Sequence, residues 1–294
     1  VLPPIDIRTM QVAPPAVAMS DASFRSLRDF IYERLGIYFQ EKKKYLLEGR
    51  LGKRVQLLRL DGYDEYLHLL RYGAQKDLEF EYLCDAVTIN ETFFFRNEPQ
   101  FDALETVVLP ELFQARRAAG SDTVRVWSAA CSSGEEPYTL AMIFQEKLRH
   151  RFPGMRMEIV GTDISPTVLH AARKGSYGDY ATRNTPPHYL QRYFTVDGPR
   201  RTVKDEIRAM VRFQHLNLFE RGPMRSMRDF DLVLCRNVMI YFDTPAKVQV
   251  VSDLYDSLRF GGYLVIGYSE LLHGISNAFR VVSFPKTTLY KKER

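Results

Sequence analysis

The sequence predicts an α/β chain: a doubly wound parallel sheet carrying a small β-rich insertion, preceded by a small all-helical unit. Three observations predict it. Apolar residues recur at helical spacing over residues 21–88. After Pro110, short β-branched runs alternate with helical segments, the pattern of a parallel sheet covered on both faces. Between Gly175 and Arg208 the alternation breaks, and Asp197-Gly198 stands between two strand-like runs.

Bulk properties bound the function. A length of 294 residues suits one large domain, or one medium domain with a small companion. No run of about 18 apolar residues occurs, so no membrane insertion is expected. The first twenty residues lack the charged start and long apolar core of a secretory signal, carry Pro3, Pro4, Pro14 and Pro15, and read as a flexible tail. Cys84, Cys131 and Cys235 are far apart, which argues against a disulfide scaffold or zinc cluster and fits a cytoplasmic protein without a metal. The net charge of +5 (41 basic minus 36 acidic residues) permits an acidic partner without demanding nucleic acid.

The elements follow in order. Phe24, Leu27, Ile31 and Leu35 fall on one helix face, and Gly36 ends that helix. Further helices are expected over Lys42 to Leu60, Tyr63 to Tyr72 and Lys76 to Thr88. Residues 21–88 thus form the helical unit, 89–98 a linker, and 99–294 the α/β domain with an insertion at about 175–210. The first strand starts at Val124 and runs into Cys131-Ser-Ser-Gly-Glu-Glu-Pro137, with a helix from Pro137 to about Arg149. A strand from Met157 to Asp163 and a helix from Ser165 to Lys174 come next. Later strands are Val211 to His215, Asp231 to Cys235 and Tyr263 to Ser269, with a helix from Pro245 to Arg259 before the last. In such a sheet the ligand crevice lies at the carboxyl ends of the strands.

The residues at that edge suggest a ligand. The turn after the first strand has a single Gly134, too few for a pyrophosphate, and its acids Glu135 and Glu136 would repel phosphate. They suit a ligand with a cationic part, although they also favour the helix dipole of a plain turn. Asp163, ending the second strand, stands where an acid commonly accepts ribose hydroxyls; it and Ser165 could equally cap the next helix. Asn217 follows the third strand, where an amide could contact an adenine. Arg236, Asn237 and Tyr241 follow the fourth, where a substrate would lie.

Three stretches, Asn90-Glu-Thr-Phe-Phe-Phe-Arg96, Trp127-Ser-Ala-Ala-Cys-Ser-Ser-Gly-Glu-Glu-Pro-Tyr138 and Cys235-Arg-Asn-Val-Met-Ile-Tyr-Phe242, resemble the chemotaxis receptor methyltransferase family, CheR, over about residues 20–290. The resemblance implies a helical receptor-recognition domain and a Rossmann-like class I methyltransferase domain with a β-subdomain. It also implies a last strand, from Ala278 to Lys291, joining the sheet antiparallel. It implies S-adenosylmethionine as methyl donor, S-adenosylhomocysteine as product, and transfer to glutamate carboxylates on the cytoplasmic methylation helices of chemoreceptors. Matched residue by residue, Asn90, Thr92, Arg96, Glu136, Asp163, Asn217, Leu218, Cys235 and Arg236 would bind the cofactor. Arg96 and Tyr241 would be catalytic, with Tyr241 near the transferred methyl.

The chemistry is consistent with that set. A glutamate carboxylate is already ionised at neutral pH, so no strong base is needed, and the chain shows no convincing nucleophile–base set. The second helix carries Arg50, Lys53 and Arg54 at i, i+3 and i+4. Such a face is usually only solvated; the resemblance makes it the expected receptor contact. Some family members also bind a pentapeptide at the receptor C-terminus through a longer, glycine-rich hairpin loop in the β-subdomain. Asp197-Gly198-Pro199-Arg200 is short, so independence of that peptide is expected, and the protein is expected to act as a monomer. A nucleic-acid methyltransferase would carry a stronger basic surface and an Asp/Asn-Pro-Pro-aromatic loop where this chain has Cys235-Arg236-Asn237-Val238. A non-catalytic S-adenosylmethionine-binding signalling module is the remaining alternative, and Arg96 with Tyr241 argues against it.

Overall fold

The computed structural model describes residues 18–293. Most of the expected tail lies outside the described residues. Its last two positions are not tail-like: Met19 is buried and donates its N–H to Glu48 Oε1 (2.8 Å), and the Ser20 hydroxyl accepts from Ser23 N–H (3.0 Å). The described residues divide into two compact units, those up to Glu33 with Phe39–Val87, and Arg34–Tyr38 with those from Thr88 onward. Residues 34–38, inside the span read as helical, therefore cluster with the α/β unit. Among the described residues, no helix is long and apolar enough to cross a membrane.

The helical unit holds α1 (Asp21–Leu35, whose last two residues belong to the second unit), α2 (Lys44–Leu57), α3 (Tyr63–Tyr72) and α4 (Lys76–Val87). The apolar stripe of α1 buries as its spacing predicts, with Phe24, Leu27 and Ile31 each fully buried. Leu47, Leu51 and Val55 do the same on α2. The second helix is shorter than expected: Glu41–Lys43 form a separate 3₁₀ turn, and the helix ends at Leu57, before Arg59 takes a left-handed φ of 55°.

The second unit opens with α5 (Glu98–Ala103), a π-helical turn Leu104–Val108, and α6 (Leu109–Ala118). β1 (Thr123–Ala129) leads to α7 (Glu135–Ile143), which continues into a π-helical turn Phe144–Leu148. β2 (Arg156–Asp163) leads to α8 (Pro166–Lys174), capped by the Ser165 hydroxyl, which accepts from Val168 N–H at 3.2 Å. The insertion contains β3 (Ser176–Tyr177), α9 (Asp179–Thr182), α10 (Pro187–Tyr193), β4 (Phe194–Asp197), β5 (Arg200–Val203) and α11 (Asp205–Arg208). It is thus more mixed than β-rich, although its strands form a sheet in the order β3-β5-β4. The Asp-Gly hairpin is present: Asp197 pairs with Arg200 across the two-residue turn Gly198-Pro199, and Gly198 supplies the positive φ of 55°.

β6 (Val211–His215), α12 (Arg221–Met224), β7 (Phe230–Cys235), a 3₁₀ turn Met239–Tyr241, α13 (Thr244–Ser257), β8 (Leu258–Ile266), β9 (Phe279–Phe284) and β10 (Thr287–Lys292) complete the chain. The main sheet has the order β6-β2-β1-β7-β8-β10-β9. Its first five strands are parallel; β10 joins β8 antiparallel, as β9 does β10. The single closing strand expected over Ala278 to Lys291 is therefore a hairpin, turned at Pro285-Lys286, where Lys286 has a φ of 59°. α6 and α7 pack on β1, α8 on β2 and β6, and α13 on β8. Inside the sheet Trp127 is fully buried and donates its indole N–H to the Thr162 hydroxyl (2.9 Å).

Candidate active site

Strand order reverses at β1, with β2 on one side and β7 on the other, and the crevice outside such a reversal is where open parallel sheets bind ligands. A cavity lies there, built from residues that follow β1, β2, β6 and β7, from segment 88–96, and from Leu35, Ile37 and Phe101. Its apolar wall with a few convergent polar groups suits a small-molecule ligand.

The turn after β1 separates the two acids that the sequence offers together. Ala130, Ser132 and Gly134 all have positive φ (60°, 50° and 93°), and a Cβ on Gly134 would sit 3.0 Å from both Ala172 Cβ and Phe213 Cζ. This tight turn rotates Glu135 into the protein, where it is 2% exposed and accepts from the Ser133 hydroxyl (2.8 Å). Burial pushes its carboxyl up to about 7, against the pull of that hydroxyl. Glu136 lines the cavity instead: its Oε1 accepts from the Ser128 hydroxyl (2.7 Å) and its Oε2 from the Arg236 guanidinium (2.9 Å).

Asp163 also lines the cavity and ties two strand ends together. Its Oδ2 accepts from Ser132 N–H (2.8 Å) and its Oδ1 from Ser165 N–H (3.0 Å). Burial raises its pKa, and those backbone donors oppose the rise. Asn217 and Leu218 line the cavity after β6. The Asn217 amide, however, is committed to the chain: it donates to the Arg34 carbonyl (2.8 Å) and accepts from Phe219 N–H (3.0 Å). Its first task is to staple the loop, which revises the expectation of an amide offered to an adenine.

After β7, Cys235 departs from expectation. It is fully buried in the strand and is not part of the cavity wall, because alternation turns the last strand residue into the core. The next residue, Arg236, does line the cavity at 8% exposure. Besides Glu136 it donates to the Arg96 carbonyl oxygen, and its guanidinium carbon lies 5.3 Å from the centre of the Phe101 ring. Its Nε is buried without a partner. Tyr241 lines the same wall, on a loop that leaves the sheet at Asn237 with a φ of 61°.

The linker motif supplies Asn90, Thr92 and Arg96 to the cavity. Its three phenylalanines anchor it at three places. Phe93 lines the cavity, with the Arg183 guanidinium 3.6 Å from its ring centre. Phe94 is fully buried between Tyr177 and Phe194 of the insertion, 4.9 and 5.2 Å away by ring centres. Phe95, at a φ of 56°, packs on Tyr189 (4.8 Å). The Asn90 carbonyl accepts from the Ser132 hydroxyl (2.9 Å), and Arg96 donates to the Glu91 carbonyl (2.7 Å).

Asn237, placed by the sequence where a substrate would lie, lines this wall; sequence reasoning did not assign Phe93 or Ser132 to it, although both lie inside the quoted motifs. The residues present fit S-adenosylmethionine. An unsatisfied buried guanidinium nitrogen beside a carboxylate matches the zwitterionic amino-acid end. Asp163 matches hydroxyls, and Ile164, Leu216 and Leu218 offer an apolar wall for a flat base.

In the helical unit, the proposed basic face of α2 is smaller than its spacing implies. Arg54 is bound inside the unit, with Nε and a terminal nitrogen on the two oxygens of Glu79 (2.8 and 2.7 Å) and its guanidinium 3.7 Å from the Tyr82 ring centre. Arg50 donates to the Val87 carbonyl (2.7 Å), while Lys53 is exposed. Arg54 is thus a structural ion pair, unreadable from helical spacing because its partner lies 25 residues away.

Comparison with known proteins bears on both units. Residues 90–288 match the model of the CheR methyltransferase SAM binding domain, and residues 22–88 that of the CheR methyltransferase all-alpha domain. Chemotaxis protein methyltransferase 2 of Vibrio cholerae serotype O1 is 34% identical over 278 residues, 94% of each chain. Chemotaxis protein methyltransferase 1 of Pseudomonas aeruginosa is 36% identical over 94% of this chain and 99% of its own. The chemotaxis protein methyltransferase of Borreliella burgdorferi is 36% identical over 84% of this chain and 87% of its own.

Proposed function

The chain belongs to the CheR methyltransferase family, and we propose that it transfers the methyl group of S-adenosylmethionine to glutamate side chains of chemoreceptors, giving methyl esters. The observation that carries this reading is the buried Arg236–Glu136 pair, with its spare Nε, on the wall of a cavity that Tyr241 also lines. When bound, the cofactor supplies an electrophilic methyl: a carboxylate oxygen forms the new bond to carbon as the carbon–sulfur bond breaks and its electron pair leaves with the neutral thioether.

The chain's own residues do the rest. Arg236 and Glu136 hold the amino-acid end of the cofactor, and Asp163 accepts from ribose hydroxyls. Asn90, Thr92 and Leu218 close on the remainder. Arg96 balances the carboxylate charge gathered at the site. The Tyr241 hydroxyl donates to the acceptor carboxylate and orients it. A neutral donor suits that task, because a full ion pair would blunt the nucleophile; alignment is worth several kcal/mol. The backbone that carries Tyr241 is fixed, with its carbonyl accepting from Tyr38 N–H (3.0 Å).

The receptor's acidic methylation helices would meet the exposed Lys53 and the half-buried Arg50 of α2, with charge chiefly steering and orienting. The two-residue turn Gly198-Pro199 supports independence of a receptor-tail pentapeptide. The test is methyl transfer from labelled cofactor to receptor-containing membranes. Base-labile label on glutamates is expected, at equal rates on receptors with and without their C-terminal residues. Tyr241→Phe is expected to slow turnover about tenfold or more while calorimetric affinity for S-adenosylhomocysteine changes little. Equal losses in both quantities would remove Tyr241 from the chemistry, and an absence of receptor label would favour a non-catalytic module.

A further inference from the structure

We propose that Glu270 is a positioning residue for methyl transfer: one buried carboxylate that latches the loop after β7, and with it Tyr241, in the geometry that orients the acceptor. The inference rests on the reading of Tyr241 given above. Glu270 follows β8 and is 7% exposed. Its Oε2 accepts from Gly267 N–H (2.6 Å) and Asn237 N–H (2.9 Å), and its Oε1 accepts from Ile240 N–H (3.2 Å). Among the described residues it forms no ion pair, so backbone amides meet its charge. One side chain thus fastens the turn after β8 to the loop after the neighbouring strand β7.

The surroundings are built for that contact. A Cβ on Gly267 would lie 2.6 Å from Glu270 Oε2 and 2.8 Å from Asn237 N, so only glycine admits the close approach. Asn237 holds a left-handed φ of 61°, a conformation that a bond to its N–H helps to fix. Tyr241 N–H bonds to the Val238 carbonyl (3.0 Å), which makes Met239–Tyr241 a single turn held at both Asn237 and Ile240. Glu270 is not part of the cavity wall, and acts through the turn that bears Tyr241.

The two oxygens give the substitution a selective effect. In Glu270→Gln the one remaining carbonyl oxygen can serve Gly267 and Asn237, and the new NH₂ then faces Ile240 N–H, donor against donor. The Ile240–Tyr241 end is released while the Asn237 end stays fastened. Gly267→Ala attacks the same latch from the other side.

The test compares wild type, Glu270→Gln, Gly267→Ala, Tyr241→Phe and the Glu270→Gln/Tyr241→Phe double variant as full chains. Hydrogen exchange at the Ile240 and Tyr241 amides is expected to rise about tenfold or more in Glu270→Gln and Gly267→Ala, with or without turnover. Receptor methylation kcat is expected to fall about tenfold in both, with S-adenosylhomocysteine affinity within about threefold of wild type. The double variant is expected to be no slower than the slower single, since both act on one hydroxyl. Unchanged exchange, or multiplying rate losses in the double variant, would overturn the proposal. A normal rate for Tyr241→Phe sinks the acceptor-orienting reading and this inference together. A slow Tyr241→Phe beside a normal Glu270→Gln sinks this inference alone.

Discussion

Each unit contains an arginine–glutamate pair removed from solvent, and the two pairs are completed differently. In the helical unit, Glu79 is 4% exposed and receives both arms of Arg54, and Tyr66 adds its hydroxyl to Glu79 Oε1 at 3.0 Å. Burial holds the Tyr66 phenol well above its ordinary pKa, so at neutral pH it donates. In the α/β unit, Arg236 lines the cavity and meets Glu136 through one terminal nitrogen and the Arg96 carbonyl through the other, and its Nε is buried without a partner. A carboxylate clamped by two guanidinium nitrogens and a tyrosine hydroxyl behaves as a fastener. A pair that lines a cavity and keeps one buried donor unmatched behaves as a socket.

The largest expected effect breaks the fastener. Glu79→Ala leaves Arg54 and Tyr66 without their acceptor and should cost about 3–5 kcal/mol in urea unfolding of the helical unit, with cofactor affinity preserved. A loss under 1 kcal/mol would show that solvent replaces the carboxylate easily.

Next comes the contrast between Glu135 and Glu136. The folded carboxyl of Glu135 sits at about 7, above its ordinary 4.5, so the folded state holds the proton more tightly than the unfolded chain. The stability it contributes is full below about pH 4.5 and is lost as pH rises through 7, up to about 3 kcal/mol in all. Glu135→Gln should flatten that slope in unfolding measured from pH 5 to 8; an unchanged slope would place the proton elsewhere.

Glu136→Gln tests the socket. Cofactor affinity is expected to weaken about tenfold to a hundredfold by calorimetry, with a smaller loss of unfolding free energy than at Glu79. The reverse ranking would make both pairs fasteners. The smallest effect belongs to the exposed Lys53: Lys53→Glu should slow receptor methylation by less than about 1 kcal/mol equivalent, an effect that fades with salt while Tm is unchanged.

The parts legible in the sequence were those set by local periodicity. α3 begins and ends where its pattern does, β6 likewise, and the loops bearing Glu136, Asp163, Asn217 and Arg236 gather at one sheet edge because parallel strands present their carboxyl ends together. Long-range pairing was not legible. Helical spacing put Arg54 beside Lys53 but could not announce Glu79, and nothing near Tyr241 announces a carboxylate 29 residues later. Cys235 was misplaced because a motif gives order along the chain, whereas the pleat decides which way a strand's last side chain turns. The closing hairpin was read as one strand because its Pro285-Lys286 turn holds neither Gly nor Asn, and Lys286 takes the left-handed conformation regardless.

The three consecutive rings of the linker carry a practical consequence for anyone building chimeras. Phe93, Phe94 and Phe95 reach the cavity wall, the insertion's core and Tyr189 in turn, so each occupies a berth its neighbours cannot fill. Lengthening or shortening the stretch by a single codon would send every ring to the wrong berth at once. A graft of a foreign helical module should therefore leave 90–96 intact with the catalytic half, and must also keep residues 34–38, because Leu35 and Ile37 line the cavity and Tyr38 N–H holds the Tyr241 carbonyl.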